Sequence, residues 1–287
     1  MEDAQPAGDR FAVSWRIGPL LTLPVQQSLL AARRAGATTA SCSLDLNRST
    51  TTVELHADAW SWDGGRFPYL QGCRDRTIYH WVGTAFQPVA RFTSALIKLV
   101  PTQWGPPTFE IDGIKMLPTA RVSPYADAER KVGLIAPRGK RILDTCGGLG
   151  YFAAWCLAGR AAHVYSYESN PDVIWLRSLN PWSPPADAAL TLIAADISER
   201  IAIMPGASVD AILHDPPRFG IAGELYSQVF YNELARVLRP KGMLFHYTGS
   251  PNRCSSGRDL ANEVAARLRI AGFTTKPNAD GVLAVKT

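Results

Sequence analysis

From residue 140 onward, segments with the character of β-strands alternate along the chain with segments with the character of helices. The helical pattern predicts four helices, at residues 151–158, 171–179, 224–238 and 258–270. Short apolar runs predict seven strands, at residues 142–145, 162–168, 190–195, 209–214, 243–247, 273–276 and 281–285. This alternation predicts an α/β fold with a doubly wound, seven-stranded sheet, in which ligands bind at the carboxyl ends of the strands.

The first 120 residues have a different pattern. Residues 24–34 predict an amphipathic helix, but the segments that follow alternate as β-strands do. Asp112-Gly113 lies between two such segments and is a strong hairpin signal, because both turn positions tolerate a positive φ. We therefore expect a mostly β lid or substrate domain over residues 1–120 and a catalytic domain over residues 121–287, whose first helix begins at Ser123-Pro124.

The composition is that of a globular protein, with 46% hydrophobic and 19% charged residues in a chain of 287. No apolar run approaches the length that a membrane span requires, and we expect a cytoplasmic protein with no membrane association. Five cysteines without a C-x-x-C pair predict reduced, buried thiols and no metal site.

The net charge of +5 and a cluster of cations between residues 130 and 141 raise the possibility of a nucleic-acid partner. These cations fall on the last turns of a predicted helix and on the loop after it, where they suit the helix dipole and solvent. We therefore interpret them as a solvated surface and expect a small-molecule substrate.

A glycine-rich turn joins the first predicted strand of the catalytic region to its helix. Glycines allow a positive φ and leave room for a ligand, while the next helix offers N–H groups at its N-terminus. Asp144, at the end of the strand, is a candidate acceptor for the ammonium group of a bound amino-acid moiety. A purely structural turn is the alternative. The candidate cofactor-binding residues of this turn are Asp144, Gly147, Gly148, Gly150 and Tyr151.

Two further acids follow neighbouring strands. Glu168 stands 24 residues after Asp144, where a carboxylate can accept hydrogen bonds from both hydroxyls of a ribose. Asp196 ends the third strand, a position from which a side chain can bind an adenine amino group. Either residue could instead be an ordinary acid at the end of a strand.

A fourth strand ends in His214-Asp215-Pro216-Pro217-Arg218. Successive prolines lack N–H groups and fix φ, so they form a rigid loop in which Asp215 can hold and orient an amine. Asp215 is also a candidate cofactor ligand. His214 is a candidate base, although a histidine at the end of a buried strand is as often a core residue. The other candidate catalytic residues are Pro216, Tyr226 and Tyr247.

These elements together resemble the S-adenosylmethionine (SAM) site of the class I SAM-dependent methyltransferases, whose sheet is Rossmann-like. The proline loop resembles the loop that grips the attacking nitrogen in amino methyltransferases, but its fourth position, usually an aromatic residue, is Arg218 here. Further strings, at residues 109–116, 179–183, 224–227 and 244–248, resemble predicted SAM-dependent methyltransferases that are common in archaea. This resemblance covers residues 95 to 250 and implies SAM as cofactor or sole substrate.

The chain also resembles a smaller set of bacterial enzymes, the azetidine-2-carboxylate synthases. That resemblance implies that the α-amine of SAM attacks its own γ-carbon and expels methylthioadenosine. The alternative is a SAM-dependent methyltransferase that acts on an amine nitrogen of a small molecule or macromolecule. A non-catalytic SAM-binding module is a more remote alternative, since the Asp-Pro-Pro loop is intact.

Overall fold

The structure is a computed structural model that describes residues 9–10, 18–185, 188–249 and 259–287. By its contacts the chain divides into two compact units. One unit contains Ala128–Ile174 and Pro184–Thr287 together with the N-terminal stretch up to Val13, and the other extends to Asp127 and includes Trp175–Ser183. The domain boundary predicted after residue 120, and the roles predicted for the two domains, stay predictions.

The described residues form strands and helices close to those predicted. The helices are α1 (Leu23–Arg34), α2 (Pro124–Gly133), α3 (Tyr151–Ala158), α4 (Pro171–Ser178), α5 (Ile197–Arg200), α6 (Gln228–Val237) and α7 (Leu260–Ile270), with 3-10 turns at Ile201–Ile203 and Gly223–Tyr226. The strands are β1 (Asp9–Arg10), β2 (Leu20–Leu21), β3 (Thr39–Cys42), β4 (Thr51–Leu55), β5 (Ala59–Trp62), β6 (Gly65–Pro68), β7 (Tyr79–Trp81), β8 (Phe86–Pro88), β9 (Ala90–Phe92), β10 (Leu96–Val100), β11 (Thr108–Ile111), β12 (Ile114–Lys115), β13 (Arg141–Asp144), β14 (His163–Glu168), β15 (Leu190–Ala194), β16 (Val209–His214), β17 (Leu238–Tyr247), β18 (Phe273–Asn278) and β19 (Gly281–Lys286).

The larger unit is built on one sheet with the strand order β1-β15-β14-β13-β16-β17-β19-β18. Its five central strands are parallel, and β19 runs antiparallel to both β17 and β18. The predicted doubly wound α/β sheet is therefore confirmed. The predicted seven strands are joined by an eighth, because Asp9 and Arg10 pair antiparallel with β15.

The strand order reverses at β13, which pairs with β14 on one side and with β16 on the other. The loops that follow these three strands all leave the sheet at its carboxyl edge. This edge is where doubly wound folds bind ligands. It carries the glycine turn, Glu168 and Asp215, as the sequence predicts.

One local prediction is wrong. The sequence predicts a helix that ends at residue 238 and a strand that begins at residue 243, with Pro240-Lys241-Gly242 between them as a turn signal. In the structure β17 begins at Leu238 and runs through these three residues. The pairing of β16 with β17 is irregular here, with Val209 opposite Leu238 and Ala211 opposite Met243, and Lys241 has a φ of 62°. The residues that signal a turn thus form a bulge within β17, since a bulge accommodates extra residues in a strand.

One hydrophobic core of the larger unit lies between the sheet and two amphipathic helices, α6 and α7. Each helix begins at a side-chain cap: Ser227 Oγ accepts a hydrogen bond from the Phe230 N–H (3.1 Å), and Asp259 Oδ1 accepts one from the Asn262 N–H (3.2 Å). The fully buried members of this core include Leu143, Ile193, Ile212, Leu244, Tyr231, Leu234, Val264 and Leu268.

The smaller unit contains three antiparallel sheets, so the prediction of a region rich in β-strands is confirmed. Its core is aromatic, with the Trp60 ring stacked 4.7 Å from Phe67 and the Trp81 ring 5.1 Å from Phe86. The predicted hairpin at Asp112-Gly113 joins β11 to β12, and both residues have a positive φ (47° and 77°).

Leu143 offers a test of this core. Replacement of the fully buried side chain by alanine (Leu143→Ala) removes apolar contacts and leaves a cavity, so we expect the free energy of unfolding to fall by about 2–5 kcal/mol. Val229→Ala on α6 is the control, since Val229 is 74% exposed, and it should change stability by less than about 0.5 kcal/mol. Urea denaturation measures both, and equal effects would contradict the assigned core.

Candidate active site at the carboxyl edge of the sheet

Backbone hydrogen bonds hold the glycine turn between β13 and α3. The Gly147 N–H donates to the Tyr167 carbonyl (2.6 Å), and the Gly150 N–H donates to the Gly147 carbonyl (2.7 Å). Gly148 and Gly150 have φ values of 49° and 82°, a region that side chains with a Cβ rarely adopt. A Cβ at Gly148 would meet no atom within 4 Å, so open space lies beside the turn.

Asp144 lies beneath this turn. Its side chain has no exposed surface, and its Oδ2 accepts a hydrogen bond from the Ser166 hydroxyl (2.8 Å). Tyr151, the first residue of α3, is likewise only 4% exposed. In the structure Asp144 is therefore buried and connected to β14 through Ser166, and its predicted contact with a ligand ammonium stays a prediction.

The Glu168 carboxylate connects the end of β14 to the glycine turn. Its Oε2 accepts a hydrogen bond from the Gly148 N–H and its Oε1 one from the Asn170 N–H, both at 2.9 Å. The side chain is half-buried. The sequence placed Glu168 at this edge but did not predict its bond to Gly148, which sets the carboxylate beside the turn.

Asp196 caps a helix. Its Oδ1 accepts hydrogen bonds from both the backbone N–H and the hydroxyl of Ser198, each at 2.8 Å, at the start of α5. This is the usual role of an aspartate at a helix N-terminus. The adenine contact predicted for Asp196 stays a prediction.

Asp215, directly after β16, has a buried cation beside it. The Lys131 ammonium lies 3.6 Å from Asp215 Oδ2 and 3.7 Å from the centroid of the Tyr247 ring. The Lys131 side chain is 2% exposed, whereas that of Asp215 is 21% exposed and can exchange protons with solvent. The site therefore presents an acid, a cation and an aromatic face together.

The interpretation of Lys131 as part of a solvated surface is wrong. Lys131 lies on the face of α2 that also buries Ala128 and Val132, at the i, i+3 and i+4 positions of an amphipathic helix. This spacing was a signal in the sequence. It was missed because the charged residues were considered as a cluster and not by their position around the helix.

Tyr226 holds the Asp-Pro-Pro loop in place. Its hydroxyl donates a hydrogen bond to the Pro217 carbonyl (3.0 Å), and its ring packs edge-on against Phe219 with centroids 5.4 Å apart. Burial, together with the nearby charge of Asp215, raises the pKa of Tyr226, so its hydroxyl remains a donor at neutral pH. Pro216 is buried, whereas Arg218 is exposed.

His214, the last residue of β16, lies opposite His246 of β17, and both are fully buried, with ring centroids 4.4 Å apart. His214 Nε2 lies 3.1 Å from the Leu225 carbonyl and therefore donates, which leaves Nδ1 to accept from the Thr145 hydroxyl (2.7 Å). Burial lowers the pKa of His214 to about 4. This arrangement is that of a core histidine, and a catalytic base at this position stays a prediction.

His246 is bonded in a similar way. Its Nδ1 donates to the Tyr247 carbonyl and its Nε2 accepts from the Tyr231 hydroxyl, both at 2.9 Å. Burial and the neighbouring His214 lower its pKa well below the ordinary value. Both imidazoles are thus neutral, and each ring nitrogen has a hydrogen-bond partner, which holds the two side chains rigidly in the core.

Within the described residues, no group of three or more histidine, cysteine or acidic side chains could hold a metal ion. Cys42 and Cys156 are free and buried, and Cys73 and Cys146 are free and partly exposed; Cys254 lies outside the described residues. In the same part of the chain, no helix is both long and apolar enough to cross a membrane.

The chain has relatives of known sequence. It is 43% identical over 194 residues to an uncharacterized protein of Methanocaldococcus jannaschii, and the alignment covers 66% of either chain, just under two thirds. It is also 37% identical over 65 residues to polyamine aminopropyltransferase 2 of Streptomyces coelicolor, which is 22% of this chain and 12% of that protein. No family model matches the chain.

Solved structures with the same fold include two spermidine synthases. One is a complex with the transition state analogue AdoDATO (TM-score 0.53, 15% identity, 69% of this chain and 73% of that chain). The other is the enzyme from Thermotoga maritima (TM-score 0.51, 16% identity, 69% and 72%). The predicted fold of the class I methyltransferase type is therefore confirmed.

The two neutral histidines predict a specific pH dependence of stability. Below about pH 6.5 the unfolded chain binds protons at both residues, whereas in the folded chain burial lowers the pKa of His214 to about 4 and that of His246 well below its ordinary value. Their contribution to stability is therefore complete above about pH 6.5 and is lost as the pH falls below it. We expect stability to fall by up to about 1.4 kcal/mol per pH unit for each histidine between pH 6.5 and 5.

Urea denaturation at several pH values measures this slope. His214→Gln keeps a side chain that can form hydrogen bonds but removes one titrating group, so the slope should fall by about half. An unchanged slope in His214→Gln would show that His214 does not contribute to it.

Proposed function

We propose that this chain binds SAM at the carboxyl edge of its larger sheet and converts it to azetidine-2-carboxylate and methylthioadenosine. The observation that carries the proposal is the position of Asp215, partly exposed beside Lys131 and Tyr247, at the point where the strand order reverses. This position in a doubly wound sheet is where a bound ligand meets the chemical groups that act on it.

The residues at the glycine turn fit a nucleoside. The open space beside Gly148 allows a ligand to approach the backbone, and Glu168 presents a carboxylate at the same turn. In the proposed complex Glu168 accepts hydrogen bonds from the ribose hydroxyls, and the turn and the start of α3 hold the amino-acid arm.

The proposed reaction is an intramolecular displacement. Asp215 removes one proton from the α-ammonium group of SAM, and the resulting amine attacks the γ-carbon beside the sulfonium. A nitrogen–carbon bond forms as the carbon–sulfur bond breaks, and its electron pair leaves with sulfur in methylthioadenosine. The partly exposed Asp215 carboxyl then releases its proton to solvent.

The other residues of the site orient these groups. The Tyr226 hydroxyl fixes the Pro217 carbonyl and thereby the loop that carries Asp215, and the buried Pro216 limits its movement. Tyr247 presents its ring to the positive charges of the site. Holding a nucleophile and its target in attack geometry is the main contribution that a protein can make to a ring closure.

The comparisons support the fold of the proposed enzyme. Two spermidine synthases share that fold with this chain, and a relative named as an aminopropyltransferase matches 22% of it. Transfer of the methyl group to a separate amine, oriented by the same Asp215, is the alternative. A module that binds SAM without reacting is the outcome expected if no product forms.

We expect SAM, methylthioadenosine and S-adenosylhomocysteine each to raise the melting temperature of the protein, because a ligand that binds only the folded state stabilises it. Glu168→Ala should lose most of this stabilisation, since it removes the proposed ribose contact. Glu199→Gln, an exposed acid on α5, is the matched control and should respond as the wild type does. Equal stabilisation of Glu168→Ala and the control would exclude Glu168 from the nucleoside site.

Incubation of the pure protein with SAM alone tests the reaction. Attack on the γ-carbon must release methylthioadenosine, whereas attack on the methyl carbon must release S-adenosylhomocysteine, so mass spectrometry of the nucleoside product separates the two mechanisms. We expect methylthioadenosine and azetidine-2-carboxylate in equal amounts, above the rate of the enzyme-free blank.

Asp215→Asn keeps the size of the side chain but removes the base, and it should lower turnover by about a hundredfold while SAM still binds. The exposed Asp63→Asn is the control for the lost charge. Methylthioadenosine at the blank rate, with S-adenosylhomocysteine appearing when cell extract supplies an acceptor, would favour the methyltransferase alternative.

A further inference from the structure

Lys131 is a cation in an almost fully buried position. A buried ammonium group is costly unless charges or polar groups compensate for it. Asp215 and the face of Tyr247 provide this compensation, and the Phe152 ring lies further away, with its centroid 5.8 Å from the ammonium. The position is therefore maintained against a real energetic cost, beside the acid of the proposed reaction.

The contact between Lys131 and Asp215 is not a close hydrogen bond. Its length of 3.6 Å exceeds the roughly 2.7–2.9 Å of a charge-assisted N–H···O bond. The two groups thus stand as neighbours of opposite charge, joined by a contact longer than a direct hydrogen bond.

This pair is the electrostatic complement of an amino acid. An α-amino acid carries its ammonium and its carboxylate on the same carbon atom, so a ligand whose nitrogen reaches Asp215 brings its carboxylate into the same region. There the Lys131 cation provides the opposite charge. A ligand with the amine but without the carboxylate adds a positive charge to a site that already contains a buried one.

We propose that Lys131 binds the α-carboxylate of the substrate and so makes the site select the full aminocarboxypropyl arm over an aminopropyl arm. The inference rests on the proposed function and deepens it, since it defines which SAM-like molecule the site accepts. Lys131 is a specificity-determining residue in this scheme, and Asp215 remains the residue that acts on the amine.

Binding measurements with three ligands test the inference. SAM contains the carboxylate, decarboxylated SAM lacks only the carboxylate, and methylthioadenosine lacks the entire arm. We expect wild-type protein to bind SAM about 10- to 100-fold more tightly than decarboxylated SAM, the range of a hydrogen bond to a charged group. Equal affinity for the two, in a protein that binds methylthioadenosine, would overturn the inference but leave the nucleoside site intact.

Lys131→Met removes the charge with little change in side-chain length. We expect it to lose the preference for SAM while its affinity for methylthioadenosine stays unchanged, and Lys131→Arg should retain the preference. Arg130→Met, which removes a half-exposed cation from the same helix, is the matched control and should behave as the wild type does.

The remaining outcomes separate the two proposals. Equal weakening of all three ligands in Lys131→Met would assign Lys131 a structural role and overturn the inference. Failure of all three ligands to bind the wild type would instead overturn the proposed function. If Lys131→Met does not fold, the comparison of SAM with decarboxylated SAM in the wild type still decides the inference.

Discussion

Because β13 pairs with β14 on one side and β16 on the other, the strand order reverses at β13, and doubly wound sheets bind ligands at the carboxyl edge beside such a reversal. Three of the candidate elements depend on it directly. The glycine turn follows the central strand, Glu168 ends the strand on one side and Asp215 follows the strand on the other. The hydrogen bond between the Gly148 N–H and Glu168 then joins two of these loops directly.

The polar groups beneath this edge divide into neutral and charged parts. His214, His246 and Tyr231 are buried, neutral and bonded to one another or to neighbouring carbonyl and hydroxyl groups. Such a satisfied network is rigid, because breaking any bond would leave a buried polar group without a partner. Lys131 and Asp215 are the charged part, and the chain connects the two parts directly, since Asp215 follows His214.

The fold was predictable to the extent that it depends on local patterns. Alternating apolar runs located the parallel strands, and Asp112-Gly113 located a hairpin, since both signals involve only a few adjacent residues. The start of β17 was not predictable in this way, because the pairing with Val209 overrides the turn signal of Pro240-Lys241-Gly242. The short β1 was missed as well, since two residues have no pattern and gain their structure from β15.

The candidate site was also predictable only where it depends on local patterns. The order of the strands placed Glu168 and Asp215 at one edge, but side-chain partners depend on residues far apart in sequence, and the sequence did not pair Asp215 with Lys131. Asp144 and Asp196 were recognised as polar residues at strand ends. The structure adds that Asp144 is buried and accepts a hydrogen bond from Ser166, whereas Asp196 caps a helix. These roles depend on the contacts of each side chain and not only on its position at the end of a strand.

The two margins of the large sheet bear on how copies of the chain behave towards each other. An uncovered outer strand presents a row of unpaired peptide groups to which another molecule can add a strand, and this route leads to aggregation. Here β1 covers β15 at one margin, while the outermost strand at the other, β18, contains Lys276 and Pro277, a charge and a residue without an N–H. The shortness of β1 and the proline of β18 thus discourage growth of the sheet from one molecule into the next.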